Sequence, residues 1–177
     1  MRPFGASVAA ALLAGGLSAC QDALPAPPAQ PIAFSHRIHA GDARIGCMAC
    51  HAYAARGPVA GVPSMARCRG CHKFVKEDPK DPKLTAEIKV LLDLLQKDAV
   101  IEWTRVHRLP DHVLFTHERH VAAGVRCQEC HGEVEKMEVM RQVSPLTMGW
   151  CVDCHKRKMA EAPHGRAHLT DCWTCHK

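Results

Sequence analysis

Aromatic residues are scarce in this 177-residue chain: four Phe, one Tyr and three Trp make up 5% of it. That is too little for an ordinary hydrophobic core, so part of the apolar interior has to come from somewhere other than side chains. Sustained alternation of β-branched residues is absent too, which leaves little room for sheet. The longest apolar run is Gly-interrupted and falls short of the roughly twenty residues that a membrane-spanning helix needs. The length itself allows one domain or two small ones.

Cysteine and histidine are what the chain has in excess, at eleven and thirteen residues. Ten of the cysteines fall in five copies of one string: Cys47-Met48-Ala49-Cys50-His51, Cys68-Arg69-Gly70-Cys71-His72, Cys127-Gln128-Glu129-Cys130-His131, Cys151-Val152-Asp153-Cys154-His155 and Cys172-Trp173-Thr174-Cys175-His176. C-x-x-C-H is the attachment signature of c-type haem. Two thiols at this spacing can each bond one vinyl group of a single porphyrin. The next residue then lies under the ring, where its imidazole reaches the iron. Zinc ribbons also use C-x-x-C pairs but need no His directly after the second Cys. On composition alone, five such successions arise by chance about once in 10⁵–10⁶.

Five covalent haems leave about thirty residues per cofactor, so the fold should be mainly α with much irregular loop and a haem core. The haem faces supply the apolar surface that the aromatics do not. They also change the charge balance. The formal charge is +5, and residues 20–177 carry 22 Lys and Arg against 18 Asp and Glu. With two propionates per ring the loaded protein sits at roughly −1 oxidised and −6 reduced. The basic sequence is therefore no argument for a nucleic-acid partner, and none is expected.

Residues 1–19 read as a secretory leader, with Arg2 before the apolar run Val8–Leu17. The leader ends Leu17-Ser18-Ala19-Cys20, a string that resembles the lipobox of bacterial lipoproteins, where the thiol after the cut is acylated. Export fits haem attachment, which bacteria carry out outside the cytoplasm. Residues 20–33 then form an acylated Cys and a tether containing Pro25, Pro27, Pro28 and Pro31. The expected location is the periplasmic side of a membrane, held to lipid through Cys20.

A repeat follows. Phe34-Ser35-His36-Arg37-Ile38-His39 precedes the first motif and Phe115-Thr116-His117-Glu118-Arg119-His120 precedes the third. Ser64-Met65 and Thr147-Met148 lead into the second and fourth. The chain divides into a two-haem unit (34–76), a helical connector (77–111) and a three-haem unit (112–177), or two related two-haem units with a fifth haem appended. In the connector Leu84, Ile88, Leu91, Leu92 and Leu95 lie on one helical face. Asp81-Pro82 supplies the N-cap and first helical position. Residues 157–171 read as polar loop.

The motif histidines His51, His72, His131, His155 and His176 are proximal ligands. A second strong ligand closes an iron and suits it to electron transfer, whereas an open face admits substrate. His36, His39, His117 and His120 are the leading distal candidates, because i, i+3 spacing sends two imidazoles from one turn to two haems. His107 is the fifth choice. His112, His164, His168 and the thioethers of Met65 and Met148 compete with it.

The F-x-H-x-x-H plus C-x-x-C-H pattern resembles the class III multihaem cytochromes, the c3 and c7 group. There the first His typically serves the next haem and the second a neighbouring one. Over nearly all of residues 31–177 there is a narrower resemblance, to the pentahaem cytochrome subunit of alternative complex III. It is carried by Pro31–His36, by Trp103-Thr104-Arg105-Val106-His107-Arg108-Leu109-Pro110-Asp111-His112-Val113-Leu114-Phe115, by Met137-Glu138-Val139 and by Pro145-Leu146-Thr147-Met148-Gly149-Trp150-Cys151. The His112 position is variable in that family, so the resemblance favours His107. It implies service to a membrane quinol-oxidising complex, with a small cytochrome c or a terminal oxidase beyond. The lipoprotein-like start departs from that subunit, which is anchored by a helix. This keeps open an electron-transfer subunit of a molybdopterin-type oxidoreductase.

The expected function is sequential one-electron transfer along packed haems, with no residue acting as general acid or base. A multihaem nitrite or hydroxylamine-type reductase would need one open iron. A structural or metal-storage role is the remaining alternative. Anchoring is testable at once. A single acyl chain holds a protein only marginally, at about 0.8 kcal/mol per buried CH₂, so stable attachment takes the two or three chains of a lipoprotein. Cys20→Ser is expected to block acylation and normal leader cleavage. Wild-type processing and membrane partitioning of that variant would remove any anchoring role for Cys20.

Overall fold

The structure, a computed structural model, describes residues 24–161 and 167–176. The leader, Cys20 and His164 lie outside them. Among the described residues the chain is helical without strands, apart from one isolated bridge between Val113 and His176. A π-helical turn, Arg37–Asp42, comes first. It is followed by α1 (Cys47–Cys50), α2 (Met65–His72), α3 (Pro82–Gln96), α4 (His117–Ala122) and α5 (Gln128–His131). After a 3₁₀ turn at Val134–Lys136 come α6 (Met148–Glu161), a second 3₁₀ turn at Ala167–Thr170 and α7 (Cys172–Cys175). Four of the helices are only four to six residues long, too short to stand without tertiary contacts.

The best-specified element is α3. The Asp81 carboxylate accepts from the backbone N–H groups of Lys83 and Leu84, at 2.9 and 3.2 Å, and Pro82 occupies the first turn. Leu91 and Leu95 are buried, while Leu84, Ile88 and Leu92 are half-buried. The buried leucines close on Ile32 and Ile101, with Met65, Cys68, Leu92, Leu94 and Trp103 around them. Each fully buried Leu contributes about 1.5–3 kcal/mol. This small cluster ties the connector to the second motif. Among the described residues no large side chain is completely buried.

Two segments differ from their expected form. The tether is docked from Gln30 onward. The Gln30 side chain donates to Thr104 O at 2.9 Å and accepts from Thr104 N–H at 3.0 Å, and Ile32 enters the core. The reason is Ile32 itself, an apolar side chain with a partner surface, directly after Pro31, the last proline of the tether. The expected loop after the fourth motif is also shorter, because α6 continues to Glu161. Arg157-Lys158-Met159-Ala160-Glu161 contains no breaker, and Pro163 is the first residue that opposes helix.

The two repeats are interlocked. Arg37 N–H donates to Met137 O at 2.9 Å, and the Arg37 guanidinium pairs with Asp42 and Glu138. In return His117 N–H and Glu118 N–H donate to Pro58 O and Gly57 O, both at 3.2 Å. The π-helical turn thus rests on the 3₁₀ turn at Val134–Lys136. The approach is closest at Gly41, where an added Cβ would lie 2.4 Å from Glu135 O. Gly41→Ala is therefore expected to destabilise the loaded protein by about 1–3 kcal/mol, as overpacking does. Gly46→Ala, whose Cβ meets nothing within 4 Å, serves as the control. Equal thermal midpoints for the two variants would show that this contact does not hold the halves together.

Candidate haem-ligating sites

Each F-x-H-x-x-H segment builds a ligand pair by the same contacts. Phe34 meets His36 edge-on at 5.0 Å and stacks on His39 at 4.3 Å. Phe115 meets His117 edge-on at 4.8 Å and stacks on His120 at 4.7 Å. The second His of each pair is fixed further. His39 Nδ1 lies 2.8 Å from Ser35 O, and His120 Nδ1 lies 2.9 Å from Thr116 O, four residues back in both cases. The repeated Phe thus sets the orientation of two imidazoles, and the Ser or Thr position supplies the carbonyl.

The same device recurs elsewhere. His51 Nδ1 faces Gly61 O at 2.6 Å, His72 Nδ1 faces Val75 O at 3.0 Å, His117 Nδ1 faces Pro58 O at 2.8 Å and His155 Nδ1 faces Leu169 O at 2.8 Å. A carbonyl can only accept, so Nδ1 carries the proton and donates in all six cases. Each Nε2 is left with a free lone pair, the form a metal takes. Burial reinforces this by disfavouring the imidazolium. It lowers the His36 pKa, with the neighbouring His51 and His39 adding to the effect. It takes His131 down to about 4, with His107, His117 and His51 adding.

The imidazoles face one another in pairs. A metal between two imidazoles, with bonds of about 2 Å, places the ring centroids about 6 Å apart. His39 and His72 are 6.2 Å apart, His117 and His131 6.3 Å, and His120 and His155 6.1 Å. His36 lies beside His51, whose charge acts on it. Its Nδ1 is buried without a partner. No group of three or more His, Cys, Asp or Glu among the described residues converges into a metal cage. The ten motif thiols are all free of disulfides. Paired imidazoles with adjacent free thiols are the donor set of a covalent haem, and they fit neither a zinc ribbon nor a disulfide framework.

His107, expected at the fifth distal position, lies beside the third motif. His107 does not face His176. Its ring meets His131 edge-on at 4.5 Å, with its Nε2 3.3 Å from His131 Nδ1. His112 faces His176 instead, with centroids 5.6 Å apart and planes inclined by 23°. The backbone accounts for the difference. Val113 N–H donates to Pro110 O, closing a turn at Pro110, and Leu114 N–H donates to Cys175 O at 2.7 Å. Residues 112–114 are thereby laid beside the fifth motif. Met148 is exposed at the start of α6, Met65 packs on the Leu91–Leu95 cluster, and His168 offers its carbonyl to Thr174 Oγ1.

The thiols fix the spatial order of the motifs. Cys68 is pushed up by burial and by Cys50 and Cys71. Burial also raises Cys127, with the neighbouring Cys47 adding to the effect. Cys130 is pushed up to about 11 by burial, then by Cys154, Glu129 and Cys151. Cys151 is raised by burial and then by Cys175. These influences put the second motif beside the first, the first beside the third, the third beside the fourth and the fourth beside the fifth.

Residues 113–177 match the family described as cytochrome c7 and related cytochrome c. The chain is also similar to the multihaem cytochrome c subunit of menaquinone reductase from Nitratidesulfovibrio vulgaris (strain Hildenborough), at 36% identity over 103 residues. That alignment covers 58% of this chain and 45% of the relative, so the chain spans less than half the length of the curated relative it matches. Among the described residues the chain is mainly helical, and its likeness to multihaem c-type cytochromes rests on these two matches. His112→Ala is expected to leave one haem high-spin and open to carbon monoxide, as read by electron paramagnetic resonance of the loaded protein. Unchanged spin states would mean that another side chain faces His176.

Proposed function

We propose that this chain is a pentahaem electron carrier, exported and lipid-anchored through Cys20 on the periplasmic side of a membrane. Its partner is a quinone-linked membrane oxidoreductase of the alternative complex III type. The observation that carries the reading is the facing of four motif histidines by a second imidazole, His39 with His72, His117 with His131, His120 with His155 and His112 with His176, with His36 near the fifth, His51. Haem supplies a reversible one-electron iron couple and a large apolar face.

The residues of the chain do the rest. The ten motif cysteines hold the rings. The Nδ1 tethers keep each imidazole neutral and aimed. A second imidazole at every motif leaves no coordination position for substrate, which supports electron relay over a reductase with an open iron. The series of attachment pairs supports a single path with two ends, one at α2 and one at α7, and partners dock nearest those ends. Trp173 on α7 and Phe74 just after α2 are 81% and 79% exposed there.

The quinone-linked partner is supported by the similarity to the menaquinone reductase subunit. The complex type is supported by the resemblance carried by residues 103–115 and 145–151. Direction of flow follows from the potentials at the two ends and is the same question for either type of complex. Intact mass and pyridine haemochrome analysis of exported protein are expected to give five covalent haems, and its ferrous form is expected not to bind carbon monoxide. Four haems or fewer in fully matured protein, or stoichiometric carbon monoxide binding, would overturn the closed pentahaem reading.

A further inference from the structure

The geometry points to His107 as a positioning residue for His131, accepting a hydrogen bond from the Nδ1–H of that proximal imidazole and setting the potential of the haem at the third motif apart from its neighbours. The inference rests on the haem reading above and assigns a role to a histidine that the ligand set leaves over.

His107 is excluded as an iron ligand by what it touches. The partner of His131 across a metal-sized gap is His117, at 6.3 Å with planes 5° apart. One iron has a single position opposite its proximal ligand, and His117 takes it. His107 approaches the other edge of the same ring, at Nδ1, with the planes at 86°. The other four motif histidines have partners of their own.

The contact is unlike any other in the set. Six ligand imidazoles donate through Nδ1 to a backbone carbonyl. His131 meets a side chain instead. With His131 Nε2 committed to iron, its Nδ1 carries the proton, so His107 Nε2 must be the acceptor and His107 must carry its own proton on Nδ1. An imidazole nitrogen is far more basic than an amide oxygen. It draws the shared proton further from His131 and sends more electron density through the ring to the metal. Hydrogen bonding beyond the ligand raises ligand basicity and tunes the metal in this way. More density favours the ferric form and lowers the potential. Both rings are half-buried, so water does not compete fully for either nitrogen. The third motif is also the middle of the spatial series, so a change there falls between the two ends.

The test uses fully loaded protein with His107→Ala and His107→Gln. Intact mass and paramagnetic resonance should show all haems attached and low-spin in both variants, with no carbon monoxide binding. In His107→Ala one reduction step of a potentiometric titration should move to higher potential. The expected size is about a tenfold change in the ferric-to-ferrous ratio at fixed potential, or about 59 mV for a one-electron couple. His107→Gln, whose amide oxygen can accept the same proton, should return much of that shift. A high-spin, carbon monoxide-binding haem in His107→Ala would make His107 an iron ligand and overturn the inference. Unmoved potentials in His107→Ala, or an equal shift in His107→Gln, would reduce His107 to packing. Wild-type protein without covalent haem would overturn the reading beneath it as well.

Discussion

An imidazole can bind iron only if one ring nitrogen gives up its proton, and everything else in this chain follows from where that proton is kept. Six histidines hold it on Nδ1 by donating to a main-chain carbonyl 2.6–3.0 Å away. Those carbonyls come from loop and cap positions such as Gly61, Val75, Pro58 and Leu169, which regular helix would have consumed in its own ladder. The scarcity of long helices is therefore connected to the ligand set. A backbone spent on orienting histidines is not available for continuous secondary structure. His36 is one exception, with a buried Nδ1 that has no partner. Its orientation rests on the edge of Phe34 and on burial, which lowers its pKa and keeps it neutral.

Short-range chemistry was legible in the sequence, and long-range pairing was not. The C-x-x-C-H strings identify the attachment points because thiol spacing and ligand adjacency are local. Asp81-Pro82 and the leucine spacing gave α3 with its cap and buried face, again from contacts within a few residues. The Phe in F-x-H-x-x-H was visible as a repeat, but its work of orienting two rings appears only in the stacked and edge-on contacts. Which imidazole sits opposite His176 is decided by Leu114 N–H reaching Cys175 O, sixty-one residues away. Nothing local separates His107 from His112, since both flank the same Pro110 turn. Family resemblance pointed to His107, which the structure places on the far edge of a different ring.

The division into two units that the repeat suggests is crossed by contacts in space. Each F-x-H-x-x-H segment hydrogen-bonds to the other unit: Arg37 to Met137, and His117 and Glu118 to Pro58 and Gly57. Cys47 and Cys127, the first cysteines of the two units, are close enough for Cys47 to raise the Cys127 thiol. Exposed ion pairs such as that of Arg37 with Glu138 contribute little by themselves. The junction instead depends on backbone bonds and on the close approach at Gly41. Neither unit buries enough apolar surface for itself, since the buried hydrophobic residues number only six across the described chain. The haem-filled interior proposed above would supply the apolar surface that such a composition lacks.

The inverted start of the spatial series follows from that junction. If the two units were stacked in chain order, the second motif would lie next to the third. Instead the first motif meets the third through Cys47 and Cys127, and the second is displaced outward, where α3 covers it through Cys68, Met65 and the buried leucines. The long connector is what permits this. A chain leaving the second motif at an outer end must return to the middle before it starts the next unit. α3 covers about 22 Å of that return at 1.5 Å per residue. The residues after it, Ile101 and Trp103, pack on the same cluster and bring the chain back to His107, beside the third motif. The connector is thus the element that returns the chain from the second motif to the third.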